Sequence, residues 1–189
     1  SRDKFLPKVF QKTHKKFNTP HILTLTVGLV GIIGTIFLDL DVVIVDNIDS
    51  FFTHEGEFLI IHDWKRPWRI TGNSSVYRFK LGAFPGLLPY FREHFDEIRE
   101  KFRNEQAYLS WYVDQEKKLT YWPENWCKSY KYHCLQKIPM AYFKPPVKPK
   151  DAKIIVFHGE INPPDAVNGG GGKWYRYVLP SQWIKDAWQ

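Results

Sequence analysis

The stretch from residue 34 to residue 49, GTIFLDLDVVIVDNID, constrains the fold more than any other part of this chain. Two apolar, β-branched runs predict strands over residues 35–38 and 42–45, and Asp39 and Asp41 stand between them. Carboxylates are among the groups least often buried unless they are paired or bind a cation. The stretch therefore predicts a positively charged partner at a strand end.

The rest of the chain alternates strand-like and helix-like patterns, which predicts an α/β domain with a mixed sheet flanked by helices. We divide the chain into a basic N-terminal arm, residues 1–20, and a single domain, residues 21–189. The further predicted segments are strands over 22–27, 57–61, 71–79 and 152–160, helices over the second half of 84–102 and over 105–113, a proline-rich connector over 139–150, and a glycine-rich loop over 168–173.

The link between the first two predicted strands is short. Only seven residues separate 22–27 from 35–38, whereas a parallel pair needs a crossover of about a dozen residues or more. Either these two strands are antiparallel, or a segment is missing from the chain between them.

The net charge of +7 is concentrated near the start, because residues 1–16 carry six lysines and arginines against one aspartate. Such an arm suits peripheral contact with an anionic membrane surface, and a solvated tail explains it equally; it gives no reason to expect nucleic-acid binding. The uncharged run over 22–38 is slightly short for a membrane span of about 20 residues, and its glycines and threonines favour buried strands. The two cysteines, Cys127 and Cys134, lack zinc-site spacing and predict reduced thiols in a cytosolic protein.

Metal-competent side chains follow two of the predicted strands. Asp39 and Asp41 come after one strand, and His158 ends the stretch IIVFHGE. In open α/β sheets, ligands bind outside the carboxyl ends of strands. Two carboxylates and an imidazole suit Mn²⁺, whereas Mg²⁺ prefers oxygen ligands alone. A cation held there would counter the charge of a diphosphate leaving group.

An ordered set of motifs extends this reading: FLDLDVVIVDNIDSFF, GNSSVYRF, NEQAYLS, SYKYH and VFHGE. Over about residues 34 to 165, the set resembles the bacterial nucleotide-sugar glycosyltransferases of the GT-A type, and distantly the glycogenin-like group. The resemblance implies a Rossmann-related GT-A fold, here with an incomplete N-terminal nucleotide-binding part. It also implies sugar transfer from a nucleoside-diphosphate-sugar to a glycan or lipid-linked acceptor, in cell-surface polysaccharide biosynthesis at the cytoplasmic membrane face.

The same resemblance implies a role for individual residues. Two departures stand out: Glu105 occupies a place usually held by aspartate, and Glu160 follows His158-Gly159 where the family generally continues with Lys-Pro. The implied set comprises Asp39, Asp41 and His158 as metal ligands, with Mn²⁺ or Mg²⁺ as cofactor; Asp39, Asn73, Ser74, Ser75, Lys131 and Gly159 as donor-binding residues; and Glu105 and Gln106 near the sugar and acceptor, as catalytic residues.

Other interpretations follow from the same residues. A phosphohydrolase of the haloacid-dehalogenase type also places Asp-x-Asp after an apolar strand, with Asp39 as nucleophile and Asp41 as general acid. That class needs a later acidic pair, and IIVFHGE supplies His158 instead. The aromatic content of 17% and the basic arm are also compatible with a non-catalytic carbohydrate- or polyanion-binding module. Finally, the aspartates can simply cap a strand end, and the histidine can be structural.

Overall fold

The computed structural model describes residues 35–170 and 177–188. Several predictions fall outside these ranges: the basic arm, the domain division at residue 20, the strand over 22–27 with its link to the next strand, and most of the apolar run over 22–38. Residues 171–173 of the glycine-rich loop also lie outside them. The strands are β1 Thr35–Leu38, β2 Val42–Ile44, β3 Phe58–His62, β4 Gly72–Phe79, β5 Leu119–Tyr121, β6 Cys127–Ser129 and β7 Ile154–Val156. The α-helices are α1 Asp49–Thr53, α2 Leu87–Glu93, α3 Phe95–Lys101, α4 Glu105–Gln115, α5 Pro163–Asn168 and α6 Gln182–Ala187.

The described strands form two mixed sheets. Sheet one has the order β1-β4-β3-β5, with β5 parallel to β3 and the other pairs antiparallel. Sheet two has the order β2-β7-β6, with β2 antiparallel and β6 parallel to β7. The predicted α/β class is confirmed, but the expectation of one mixed sheet is wrong. Strand β1 pairs with β4, whereas β2, separated from β1 by three residues, pairs with β7.

The two sheets pack face to face between layers of helix. Along β3, Leu59 and Ile61 belong to the buried cluster that includes β7 residues of sheet two, whereas Phe58 and Ile60 belong to a second cluster with Val113 of α4. This alternation is the period of two expected of a strand covered on both faces. On β7, Ile155 faces the opposite way and packs against α5 and α6. The layers therefore run α4, sheet one, sheet two, then α5 with α6.

Several predicted boundaries differ from the structure. The helix expected in the second half of 84–102 is confirmed as α3, whereas α2 in the first half was not predicted; His94, with φ −112° and ψ 28°, separates the two. The strand expected over 152–160 is confined to Ile154–Val156, while β4 includes the polar residues of the motif GNSSVYRF. The helix predicted over 105–113 is confirmed and extends to residue 115, with the Asn104 side chain accepting a hydrogen bond from the Ala107 N–H as its N-cap.

Arg78 of β4 is a buried cation, 8% exposed. Its guanidinium donates hydrogen bonds to the carbonyl oxygens of Phe51 (2.7 Å), Phe52 (2.9 Å), His54 and Gly56 (3.1 Å). Carbonyls at a helix C-terminus have no partner within the helix, so this one side chain satisfies those at the end of α1. Burial lowers the pKa of Arg78 from its ordinary value. No helix within the described ranges has the length and apolar character needed to cross a membrane.

Candidate functional site

The Asp39-Leu40-Asp41 turn connects the last strand residue of β1 to the first of β2, and so joins the two sheets. On one side, the Asp39 N–H donates to the Ser75 carbonyl of β4 at 2.9 Å. On the other, the Phe157 N–H donates to the Asp41 carbonyl at 2.8 Å. Both aspartates are exposed, and Asp39 Oδ1 accepts the Leu40 N–H at 2.8 Å. The turn is thus held to the strand of the NSS motif and, through the residue before His158, to β7.

On the sheet-one side, the structure brings the candidate residue Ser74 into contact with the candidate residues Glu105 and Gln106. Ser74 Oγ donates to Glu105 Oε1 at 3.0 Å, and the Ser74 N–H donates to Gln106 Oε1 at 3.3 Å. Asp39, Ser74 and Glu105 line a cavity of about 260 Å³, closed by Phe37, Tyr77 and Leu109. Three motifs that lie far apart in sequence therefore meet around one small cavity.

Close packing of α4 on β4 creates this contact. The Gly72 N–H donates to Ser110 Oγ at 2.8 Å, and Ser110 Oγ in turn donates to the Gln106 carbonyl at 2.7 Å. A Cβ on Gly72 would lie 2.6 Å from Ile60 Cγ2, so only glycine fits there without a shift. Asn73, by contrast, uses its side-chain oxygen locally, accepting the Ser75 N–H at 3.0 Å. Its predicted role toward a sugar would fall to the side-chain NH2 group, which that bond does not use.

On the sheet-two side, the parallel strands β6 and β7 end at the same edge. Ser129, the last residue of β6, lies 2.6 Å from His158 Nε2 through its hydroxyl. The imidazole stacks on Trp64, with centroids 6.0 Å apart and an interplanar angle of 15°, and its centroid is 5.1 Å from that of Tyr132. His158 is therefore fixed in position by one hydrogen bond and two rings at the carboxyl ends of two strands.

The surroundings of His158 favour its neutral form. Burial is the largest cause of its lowered pKa, and the positive charges of Lys131 and Lys65 lower it further, while Asp63 raises it. Asp63, rather than Asp39 or Asp41, is thus the carboxylate whose charge acts on the ring. A neutral imidazole near pH 7 has a lone pair that can accept a proton or bind a cation.

The larger cavity beside His158 has a volume of about 400 Å³. Lys131, Tyr132, His158 and Glu160 contribute to its lining, together with the apolar residues Leu135, Ile138 and Ile161. The ammonium groups of Lys131 and Lys65 lie 5.7 and 5.9 Å from the centroid of the Tyr132 ring. Lys131 in the wall and Lys65 nearby therefore place positive charge around the histidine, which suits an anionic ligand.

Gly159 follows the histidine with φ +94°, a conformation that side chains rarely adopt. A Cβ there would have no heavy atom within 4 Å, so the backbone faces open space. Glycine is required here by the turn and leaves room for a ligand to approach the backbone.

The predicted metal ligands match Mn²⁺ in chemical type but not as a preformed cluster. No group of three or more His, Cys, Asp or Glu side chains in the described ranges is arranged to hold a metal ion. The two exposed aspartates lie on the turn next to β7, while the imidazole nitrogen of His158 is engaged by Ser129. Metal binding by Asp39, Asp41 and His158 together would therefore require a rearrangement of this part of the structure.

Sequence reasoning missed the residues that support His158. Ser129 begins the motif SYKYH, in which only Lys131 was assigned a role, and Trp64, Asp63 and Lys65 come from a segment that was assigned none. One signal was available: both residues are polar and stand at the carboxyl end of a short apolar stretch, Ser129 as the last residue of β6 and His158 two residues after the end of β7. No protein-family model matches this chain, and no curated protein matches it either.

Proposed function

We propose that this chain is a metal-dependent glycosyltransferase with a GT-A-like arrangement. It would move a sugar from a nucleoside-diphosphate-sugar to a glycan or lipid-linked acceptor, in cell-surface polysaccharide assembly at the cytoplasmic membrane face. One observation carries the proposal: the Asp39-Leu40-Asp41 turn is hydrogen-bonded at one end to Ser75 and at the other to Phe157, directly before His158. The acidic turn thus lines the smaller cavity through Asp39 and is bonded to the residue that precedes His158, which lines the larger one.

The two cavities suit the two halves of such a donor. The cationic wall at Lys131, near His158 and Gly159, would receive the diphosphate. The smaller cavity, where Ser74 and Glu105 already exchange a hydrogen bond, would receive hydroxyl groups of the sugar. Asp39 lines the smaller cavity, and its neighbour Asp41 lies beside β7. In this proposal the turn would lie between sugar and diphosphate, beside the reacting bond of a nucleotide sugar.

Asp39, Asp41 and His158 are the residues that would hold Mn²⁺ or Mg²⁺. When bound, the cation would supply positive charge against the departing diphosphate. The protein's own contribution is positional: Ser129 and Trp64 orient the imidazole, and burial with nearby lysines keeps it neutral and able to donate its lone pair. Glu105 and Gln106 hold Ser74 in place beside the sugar cavity.

The proposal is tested with a panel of nucleotide sugars, assayed for transfer or hydrolysis with Mn²⁺, with Mg²⁺ and with a chelator. Asp41→Asn should abolish the metal-dependent signal and weaken Mn²⁺ binding measured by calorimetry in the presence of nucleoside diphosphate. Asp96→Asn, an exposed aspartate on α3, is the matched control and should change neither. Full activity in Asp41→Asn would show that the metal site is assigned wrongly.

Two other results would redirect the assignment. Phosphatase activity with a phosphoenzyme trapped at Asp39 would support the haloacid-dehalogenase interpretation. Carbohydrate or polyanion binding that survives both chelation and Asp41→Asn would support a non-catalytic module, in keeping with the lack of a preformed three-ligand group in the described ranges.

A further inference from the structure

The proline-rich connector, residues 139–150, and the preceding Ile138 expose four large apolar side chains within ten residues of sequence. Exposed fractions are 48% for Ile138, 41% for Met140, 76% for Phe143 and 57% for Val147. Single exposed apolar residues are ordinary, but a contiguous group marks a surface that meets another apolar phase.

The same part of the chain is strongly cationic. Between residues 125 and 150 the sequence contains six lysines and no aspartate or glutamate. Lys144 and Lys150 of the connector are exposed. This segment combines apolar side chains with lysines and has no acidic residues. It therefore complements a surface that is both anionic and hydrophobic, as a lipid bilayer with anionic headgroups is.

The backbone of the connector presents few free hydrogen-bond donors. Four of its twelve residues are prolines, which have no N–H group. The N–H groups of residues 141, 142, 143, 144 and 147 donate to backbone carbonyls at 2.9 to 3.2 Å. Unpaired backbone donors are costly where water is scarce, so this segment would lose few hydrogen bonds on entering a low-dielectric environment.

The connector is also fixed to the domain. Trp183 Nε1 donates to the Pro146 carbonyl at 3.0 Å, and Lys148 Nζ donates to the Val45 carbonyl at 2.6 Å. The Val147 N–H donates to the Cys134 carbonyl at 3.0 Å. The apolar side chains are thus displayed by an anchored segment, which reduces the entropy lost on docking.

We propose that the connector is a docking surface for an anionic lipid bilayer. Met140 and Phe143 enter the interfacial region, while Lys144 and Lys150 contact lipid phosphates. A purely polyanionic partner would use the lysines but not the apolar side chains, and a second copy would bring two lysine-rich segments together. This surface is separate from the arm over residues 1–16, and the inference does not depend on the transferase proposal.

The test is co-sedimentation of the full chain with vesicles of phosphatidylcholine and phosphatidylglycerol, compared with phosphatidylcholine alone. We expect binding to the anionic vesicles only. Phe143→Ser should lower the partition coefficient about tenfold through lost apolar contact. The double variant Lys144→Gln, Lys150→Gln should lower it at least about tenfold by removing charge near the headgroups. Circular dichroism checks that each variant is folded.

Matched controls lie on other surfaces. Phe95→Ser removes an exposed phenylalanine from α3, and the double variant Lys80→Gln, Lys117→Gln removes two exposed lysines outside the connector. Both controls should bind vesicles like the parent chain. Losses equal to those of the connector variants would overturn the proposal, because they would show that total charge or apolarity decides binding.

Two further outcomes would also overturn it. Unchanged vesicle binding in Phe143→Ser, together with loss in the lysine variant, would assign the connector to a polyanion instead. Concentration-dependent self-association without vesicles, abolished by Phe143→Ser, would assign it to a second copy of the chain.

Discussion

Replacing Arg78 with methionine should destabilise the fold strongly. The guanidinium donates to four backbone carbonyls around the end of α1, and its carbon atom Cζ lies 5.8 Å from the Trp122 ring centroid. Methionine fills part of the volume but donates no hydrogen bond. The carbonyls of Phe51, Phe52 and His54 would then lose their donor, and only those that water can reach would regain one.

The expected loss follows from these contacts. A buried acceptor left without a partner costs about 1–3 kcal/mol, and the terms do not add fully because the carbonyls share one donor. Removing the desolvation cost of the buried cation offsets part of the loss. We expect the free energy of unfolding of Arg78→Met to fall by about 3–5 kcal/mol, which lowers Tm by on the order of 10 °C.

Urea denaturation followed by tryptophan fluorescence measures this loss. Arg78→Lys should lie between the parent and Arg78→Met, since an ammonium keeps the charge but cannot span four acceptors. Arg92→Met, on the exposed face of α2, is the matched control and should change stability by less than about 0.5 kcal/mol. A loss below about 1 kcal/mol in Arg78→Met would refute the reasoning.

Three further predictions concern single groups. The pKa of His158 in the folded state lies below its ordinary value of 6.5. The histidine therefore contributes stability above pH 6.5, and this contribution is lost as the pH falls through the folded-state pKa. The urea midpoint should drop less between about pH 8 and pH 5 in His158→Asn than in the parent chain. Burial raises the pKa of Cys134 to about 12 and raises the pKa of Cys127 as well. A disulfide reagent should therefore react with both thiols in guanidinium chloride but only slowly in buffer. A thiol that reacts rapidly in buffer would contradict this burial. Gly72→Ala should cost about 1–3 kcal/mol, because its Cβ would overlap Ile60, and a cost near zero in urea denaturation would show that β3 shifts freely.

Elements with strong local patterns could be predicted from the sequence. The apolar run before Asp39 and the run after Asp41 are strands, and the helix after Asn104 begins at its N-cap. Each of these depends on side chains within a few residues. The short helix α2 was not predicted, because the proline and glycine before it and Pro89 within it are more typical of turns.

Pairings between distant segments could not be predicted in the same way. The sequence around Asp39 and Asp41 gives no sign that β1 and β2 join different sheets, because strand partners are chosen by burial across the whole domain. The contact of Ser74 with Glu105 follows from the packing of α4 on β4, and that of Ser129 with His158 from the parallel pairing of β6 and β7. The candidate residues were therefore easier to name than their neighbours.

The turn that joins the sheets also supplies two natural reporters of local opening. The Asp39 amide proton is protected only while β4 stays in place, and the Phe157 amide proton only while the turn stays against β7. Hydrogen–deuterium exchange at these two positions would read the two halves of the molecule separately. A ligand that spans both cavities should slow exchange at both protons, whereas one confined to a single cavity should slow only one.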